Sequence, residues 1–277
     1  MSLSWRNRLL IWLAPNDLSW VRLGGLFKPQ VRAKRSVQTE HDYGARIWDG
    51  AIATLRTEAP QWRRDRLSVR IVLSNHFVRY ALVPHSKDIS GSEEELALAR
   101  FHFSKLHGDT SRGWDIRLSP AQSSGARLAC AVDAALIEAL HQCFPRNERP
   151  RLSSVQPLLM SVFNSGGAFI PDSGAWLVMA EPNRACVALL KGKTCHAVQN
   201  VKGQFSDAEA WIGLVERERW RVNLDAVPDT ILVHAAQEPC VPSRTHGAWK
   251  VIGLQTRWPA GLLPSRDSTY GGVISAA

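Results

Sequence analysis

The same opening occurs twice in this chain. An apolar, β-prone run, Leu9-Leu10-Ile11-Trp12-Leu13, meets a turn at Pro15-Asn16-Asp17, and Leu18 to Leu23 then alternates apolar with polar residues. Well past the middle the arrangement begins again, with Ala175 to Ala180, a turn at Glu181-Pro182-Asn183, and Ala185 to Leu190. Each strand–turn–strand unit is followed by helical spacing and further strands, which predicts two α/β lobes of related plan. At roughly 150 residues per domain, the 277 residues accommodate both.

Between the two openings, Gly24-Gly25 closes the first hairpin, and residues 26–44, basic and without periodicity, read as a long loop or partly ordered insertion. Ile47, Ala51, Ile52 and Leu55 have helix spacing, ended by Pro60. Leu67 to Ser74, the turn Ser74-Asn75-His76 and Phe77 to Val83 read as a second hairpin. Ser92-x-x-Glu95 and Ser206-x-x-Glu209 have capping-box spacing and open helices to about Leu106 and Trp220. Strands are predicted at 114–119 and 127–132, with Asp133 as N-cap of a helix over 134–143. A short strand at Leu152 to Val155 leads into a helix from Pro157 through Phe163, and Asn164-Ser165-Gly166-Gly167 reads as the linker. Beyond Lys191-Gly192-Lys193, strands follow at 194–201, 230–234 and 249–254. The first lobe is thus assigned to residues 1–163, the second to 174–264, and a loose tail to 265–277.

Composition closes off several classes. Apolar residues at 45% and charged residues at 21% are ordinary for a globular chain. The strictly apolar run Leu9 to Ala14 has six residues, against the roughly 20 a membrane-spanning helix needs. Arg6 and Arg8 precede it, but no small-residue cleavage site follows, which argues against a secretory signal. The net charge is +9, and 26 of the 34 cations are Arg. Groups such as Arg63, Arg64 and Arg66, or Arg217, Arg219 and Arg221, are dispersed and interleaved with acids, so a nucleic-acid face is not expected.

The five cysteines, Cys130, Cys143, Cys186, Cys195 and Cys240, form no C-x-x-C pair and read as reduced thiols. The histidines show no metal spacing, so no metal site is expected. Ser74, His76 and Asp88 lack a nucleophile elbow, and a turn serine two residues from the histidine cannot donate to it well. Asp115 with Asp133, or Glu93 to Glu95, are the remaining acid–base pairings; the glutamates suit the positive end of the helix they open. Gly166-Gly167 and Gly271-Gly272 lack the context of a phosphate loop. Of eleven tryptophans, Trp12, Trp114 and Trp176 fall in strands and are assigned to the core. Trp5, Trp62, Trp249 and Trp258 stand near element ends beside basic residues, the setting of an exposed partner contact.

Ile11 to Leu23 resembles the first phosphate hairpin of the actin-like ATPase superfamily, and Trp176 to Gly192 looks like its second-lobe counterpart. Ser68 to Pro84, the helix after Ser92, the strand at Trp114, and Leu128 to Val132 running into Asp133 follow the order of the PilM, GspL and MshI-type assembly proteins of type IV pili and type II secretion. The resemblance covers most of residues 8–255. It implies an α/β, two-lobed actin-like (ribonuclease H-like) fold, each lobe opening with a β-hairpin and carrying a mixed sheet flanked by helices.

The motifs themselves depart from that family. Trp12 stands where its ATP-binding members have an aspartate that holds metal-bound water, and Ala14 where they have a glycine. In the second hairpin Val178 or Met179, depending on register, replaces the second aspartate, and Ala180 the following glycine. Alanines stand near Ile231 to Ala236 in place of an adenosine-binding Gly-Gly. The resemblance therefore implies degenerate phosphate hairpins at Trp12, Ala14, Asn16, Ser19 and at Val178, Ala180, Asn183, with no catalytic residue, no cofactor and no metal.

The resemblance and its departures together imply a non-catalytic pseudo-ATPase scaffold, cytoplasmic and peripheral to the bacterial inner membrane. By resemblance it binds the cytoplasmic tail of a membrane partner as a short peptide in a groove of the first lobe. The basic surplus suits an acidic tail or an anionic leaflet, at about 1 kcal/mol per well-placed cation. GspL-type proteins continue into a transmembrane helix; this sequence has none, so it is either PilM-like or a fragment lacking its anchor. Two alternatives stay open: an actin-fold ATPase or kinase with Asn16, Ser19 and Asn183 as phosphate ligands, and a basic nucleic-acid-binding module.

Overall fold

A computed structural model of the chain describes residues 7–25, 29–40, 46–63, 65–84, 89, 91–120, 126–166, 170–192, 194–222, 227–236, 243–254, 258–263 and 265–275. The first opening forms as the sequence indicates: β1 (Arg8–Leu13) and β2 (Asp17–Gly24) pair antiparallel, with Leu13 opposite Leu18. The turn closes where Ala14 N–H donates to the Asp17 carbonyl at 2.9 Å. The expected insertion is instead largely a strand, β3 (Gln30–Gln38), antiparallel to β2. Its apolar set is thin, Val31, Ala33 and Val37 at period two among cations. That is how an edge strand is kept from pairing with other chains, and why it reads as loop. Residues 26–28 and 41–44 of that segment, Lys28 included, lie outside the described residues.

Next come α1 (Asp49–Glu58), β4 (Ser68–Leu73), β5 (Val78–Val83), α2 (Ser92–His107), β6 (Trp114–Leu118), β7 (Arg127–Asp133), α3 (Ala134–Cys143), β8 (Arg151–Pro157) and α4 (Leu158–Gly166). The strand order of the first sheet is β3-β2-β1-β4-β8, with β4 parallel to both β1 and β8. Because both sides of β4 are taken, the predicted hairpin of β4 with β5 does not form. After the turn at Ser74 to Phe77, β5 leaves the sheet and pairs with β7 in a separate three-stranded sheet, β5-β7-β6. Ala99 and Phe103 of α2 back this small sheet.

The second lobe carries β9 (Ala175–Glu181), β10 (Arg184–Lys191), β11 (Thr194–Lys202), α5 (Ala208–Arg219), β12 (Thr230–Ala235), β13 (Arg244–His246) and β14 (Trp249–Gly253). Its sheet order is β11-β10-β9-β12-β14-β13. Here β9 pairs antiparallel with β10 and parallel with β12. The cores follow from strand alternation. Leu9, Ile11 and Leu13 face α1 and α3, while Trp176 and Val178 face Trp211 and Leu214 of α5. A third cluster, fed by both sheets, lies between the lobes.

The starts of α2 to α5 fall within about two residues of those read from the sequence, but the two capping boxes do not form. At α2 the N-cap is Gly91 with no side-chain cap, and Glu95 pairs with Arg127. At α5 the cap is Asp207, whose Oδ1 accepts from Ala210 N–H at 2.9 Å. Asp133 caps α3 as predicted, accepting from Ala135 N–H at 3.0 Å. Residues 164–166 of the predicted linker are the last turn of α4, and Gly167 lies outside the described residues. The tail is not loose either: a 3₁₀ turn (Ser268–Tyr270) leads into α6 (Gly271–Ile274), and all of α6 is buried. Its sequence has no amphipathic period because it is enclosed on all sides.

Candidate functional site

The place to look for chemistry in a two-lobed chain is the cleft between the opening hairpins. Alternation along β1 turns Leu10, Trp12 and Ala14 toward the second lobe. On β9 the same period turns Leu177 and Met179 toward the first, while Val178 and Ala180 face α5. The register thus resolves the second hairpin: Met179, not Val178, stands on the cleft face. Trp12, Met179, Leu232, Val273 and Ile274 belong to one buried cluster that joins the lobes.

The C-terminal segment is threaded through that cluster. Gly272 N–H donates to the Ala236 carbonyl at 3.1 Å. A Cβ at Gly272 would lie 2.6 Å from the Trp12 ring, and one at Gly271 would lie 2.7 Å from the Ala236 carbonyl oxygen. Only glycine permits so close an approach. The Gly271-Gly272 pair that lacked a phosphate-loop context is therefore the point where the chain passes between the two hairpin regions. At its end the Ser275 hydroxyl bonds Ser161 Oγ of α4 at 2.9 Å.

Of the alternative phosphate ligands, Ser19 is sealed in the core opposite Trp12, whereas Asn16 and Asn183 stand exposed at the turns of different hairpins. Ser19 Oγ and Trp12 Nε1 have no hydrogen-bond partner among the described residues. A groove of about 370 Å³ runs beside the second hairpin turn past Ala180, Asn183 and Ala235, and among the described residues no lysine or arginine lines it. Opposite Met179 on β12, His234 is buried and pushed down to about 4 by desolvation, so its ring is neutral at physiological pH.

The second hairpin turn meets the first lobe through hydrogen bonds. The Ser74 hydroxyl and the Asn75 N–H both donate to the Glu181 carboxylate, the latter at 2.9 Å. Burial pushes this carboxyl up to about 7, against the lowering effect of those bonds. His76 Nε2 lies 2.9 Å from the Pro182 carbonyl, and Asn200 Nδ2 donates to the Asn75 and Val78 carbonyls at 2.7 and 3.0 Å. Ser74 and His76 are thus parts of an interlobe latch; Asp88 lies outside the described residues. Asp115 pairs with Arg117, and Asp133 caps α3 while accepting from Trp48 Nε1 at 3.0 Å, so the two do not form an acid–base pair. Glu93, Glu94 and Glu95 occupy the first turn of α2, as the helix dipole favours.

A second concavity, of about 550 Å³, lies in the first lobe between β6 and β8, each an edge strand of its own sheet. Leu118, Leu128, Ile137, Leu152, Val155 and Met160 make it apolar. Ser154 Oγ and His141 Nδ1, on residues that line it, are buried without a partner among the described residues. An apolar groove with a few orienting polar groups is the usual form of a peptide or ligand site. Sequence reading missed it because its walls come from segments that only the separate β5-β7-β6 sheet brings together.

Trp12 and Trp176 are core as expected, and Trp114 is half-buried. Trp62 and Trp249, placed as exposed candidates, are buried, Trp62 edge-on to Trp20 at 5.4 Å and Trp249 bonded to Glu216 at 3.0 Å. Trp258 is half-buried and Trp5 lies outside the described residues. Among the described residues the exposed tryptophan is Trp220, at 91%. Cys130, Cys143 and Cys186 are free thiols; the Cys195 thiol donates to the Ala197 carbonyl at 3.3 Å and is pushed up to about 12 by burial, and Cys240 lies outside the described residues. Among the described residues no group of three or more metal-ligating side chains converges, and no helix is long and apolar enough to cross a membrane.

No family pattern matches the chain, and no curated protein is similar to it in sequence. Solved structures are similar in fold. The cytoplasmic domain of EpsL, an inner membrane component of the type II secretion system of Vibrio cholerae, superposes with a TM-score of 0.54 at 13% identity, over 96% of this chain and 94% of that one. The PilM-PilN type IV pilus biogenesis complex gives 0.55 at 15% identity, over 82% and 81%. A protein of actin-like ATPase fold and unknown function from Bacteroides thetaiotaomicron gives 0.55 at 10%, over 86% and 84%. The chain has the two-lobed actin-like fold.

Proposed function

We propose that this chain is a non-catalytic, actin-like scaffold of a bacterial type IV pilus or type II secretion assembly platform. It acts in the cytoplasm beside the inner membrane and holds the cytoplasmic tail of a membrane partner in the groove between β6 and β8. The observation that carries the reading is the occupied cleft. Where the fold's ATP-binding members place metal-bound water and phosphates, this chain places an indole, a thioether and its own Gly271–Ile274 helix. Among the described residues no cationic side chain lines the groove beside the second hairpin to balance phosphate charge. A scaffold needs a groove in which to dock a partner, and the apolar concavity between β6 and β8 supports that reading. The likeness in fold to a pilus complex and to a secretion-system domain supports the setting.

Calorimetry tests the first half. With ATP and magnesium raised to millimolar concentration, no saturable heat is expected. Binding tighter than about 10 μM, some 7 kcal/mol, would instead favour an ATPase using Asn16, Ser19 or Asn183. The second half is read by co-purification with inner-membrane pilus or secretion proteins in the native host. Ile137→Glu, which puts a charge into the groove wall, should abolish it while the purified variant keeps its melting temperature within a few degrees.

A further inference from the structure

In the first sheet β1, β4 and β8 run parallel, so all three begin at one end of it. The register sets Arg8 beside Ser68 and Ser68 beside Arg151. β2 runs the other way and finishes at this end with Gly24, opposite Gln30 at the start of β3. The loops leading into β4 and β8 close on the same place. Ser68 N–H donates to the Asn7 carbonyl at 3.0 Å, and Arg151 N–H to the Leu67 carbonyl at 3.1 Å. At about 4.8 Å between neighbouring strands, this end of the sheet is about 20 Å wide.

The geometry gathers arginines that stand far apart in the chain, in groups that read as dispersed along the sequence. Arg8 and Arg151 open β1 and β8, Arg63 and Arg66 precede β4, and Arg146 and Arg149 precede β8. Arg32 lies near the start of β3, where a Cβ on Gly24 would be 3.2 Å from its side chain. Apart from half-buried Arg8, all of these are exposed, and among the described residues none of the seven is in an ion pair. The acids of the two loops, among the described residues, are Asp65, already held by Arg22 at 2.9 Å, and exposed Glu148. Burial and the charge of Arg70 both lower the basicity of Arg8, so its cation is held against a repulsion that an arriving anion relieves.

The shape of this end narrows the partner. Its arginines sit on turns and strand ends, and none of the seven lines either groove described above. Among the described residues the exposed Phe and Trp side chains, Phe101 and Trp220, belong to α2 and the end of α5, so no base-stacking platform accompanies the arginines. A cluster of about four to eight exposed cations is the composition that holds anionic lipid headgroups.

We infer that the arginine end of the first sheet rests on anionic phospholipid headgroups, with the strand starts toward the bilayer. The inference rests on the reading of this chain as a scaffold beside the inner membrane, and it gives that scaffold an orientation. From Arg151 at this end, β8 runs on as Leu152 to Pro157 along the wall of the apolar groove between β6 and β8. A tail leaving the bilayer would meet the groove at its lipid-facing end. The turns at Asn16 and Ser74, which follow the far ends of β1 and β4, would point into the cytoplasm.

Flotation of the intact protein with lipid vesicles tests this. Phosphatidylglycerol mixed into phosphatidylcholine should carry the protein, pure phosphatidylcholine should not, and binding should fade as salt rises. Each arginine removed should weaken binding about fivefold, so the triple variant Arg66→Gln, Arg146→Gln, Arg151→Gln should lose about a hundredfold. All three positions are exposed, so the variant should melt close to the parent. A control of equal charge change on and just after α2, Arg100→Gln, Lys105→Gln, Arg112→Gln, should bind as the parent does. Ile137→Glu should also keep its vesicle binding, so that loss of the partner protein alone counts against the groove and not against this face. Three results would overturn the inference: no binding to phosphatidylglycerol vesicles, whether or not the partner co-purifies; equal weakening by the two triple variants; or tighter binding of a DNA duplex at the same phosphate concentration.

Discussion

The two opening hairpins hold the same place in their sheets, yet they meet the opposite lobe through different chemistry. The first does so with Trp12, an apolar ring laid on Gly272. The second does so with Glu181, a buried carboxyl that takes hydrogen bonds from Ser74 and Asn75. One contact is non-directional and indifferent to pH; the other fixes orientation and depends on protonation. A fold that elsewhere opens around a ligand is here closed at two points, one setting how near the lobes lie and the other how they are turned.

The largest expected effect breaks the first contact. Trp12→Ala removes a fully buried indole and should lower stability by about 4 kcal/mol in urea unfolding. If the loss is below about 1 kcal/mol, the cleft is not packed as described.

The second contact is tested by pH. Burial holds the Glu181 carboxyl at about 7, above its ordinary 4.5, so its contribution is intact below pH 4.5 and is lost as pH rises through 7. His234, held at about 4 below its ordinary 6.5, gives the opposite slope: stability falls as pH drops from 6.5 toward 4. Each amounts to roughly 3 kcal/mol over its window. Glu181→Gln should remove the loss toward pH 7, and His234→Leu the loss toward pH 4, both read as Tm against pH. Trp12→Phe should leave both slopes as they are; a changed slope there would mean that the two contacts are not chemically separate.

A smaller effect sharpens the first contact. Gly272→Ala places a methyl 2.6 Å from the indole and should cost about 2 kcal/mol. Trp12→Leu in the same chain should recover part of it, a coupling that unrelated sites would not show. The smallest effect separates the turns. Asn183 has φ 59°, in the left-handed region, so Asn183→Ala should cost about 1 kcal/mol, whereas Asn16→Ala, at a turn without positive φ, should cost less than about 0.5 kcal/mol.

The hairpins and their turns were legible because alternation and turn residues are local signals. The departures at Trp12 and Ala14 were legible too, since a residue's chemistry does not depend on its neighbours. What filled the cleft was not. Gly271 and Gly272 give no pattern, and their meaning lies in two contacts with Trp12 and Ala236, far away in sequence. The pairing of β5 with β7 was hidden for a related reason. The stretch Leu67 to Val83 is a good local hairpin, and only the parallel neighbours of β4 forbid it. The capping box at α5 failed by one residue because Asp207 outcompeted Ser206 for the helix start, a choice between two acceptable caps. Exposed Trp220 was not among the four candidates, and two that were, Trp62 and Trp249, are buried because helices and strands pack across them.

The wedge formed by Gly271–Ile274 also bears on how the protein is made. During synthesis the N-terminal lobe emerges first and can form its sheet early. Its inward face, with Leu10 and Trp12, stays uncovered until residues 271–274 have left the ribosome and entered between the lobes. Completion of the core is thereby tied to completion of the reading frame this far. A chain released short of Gly271 would present that apolar face to the cell's quality-control machinery rather than to a partner.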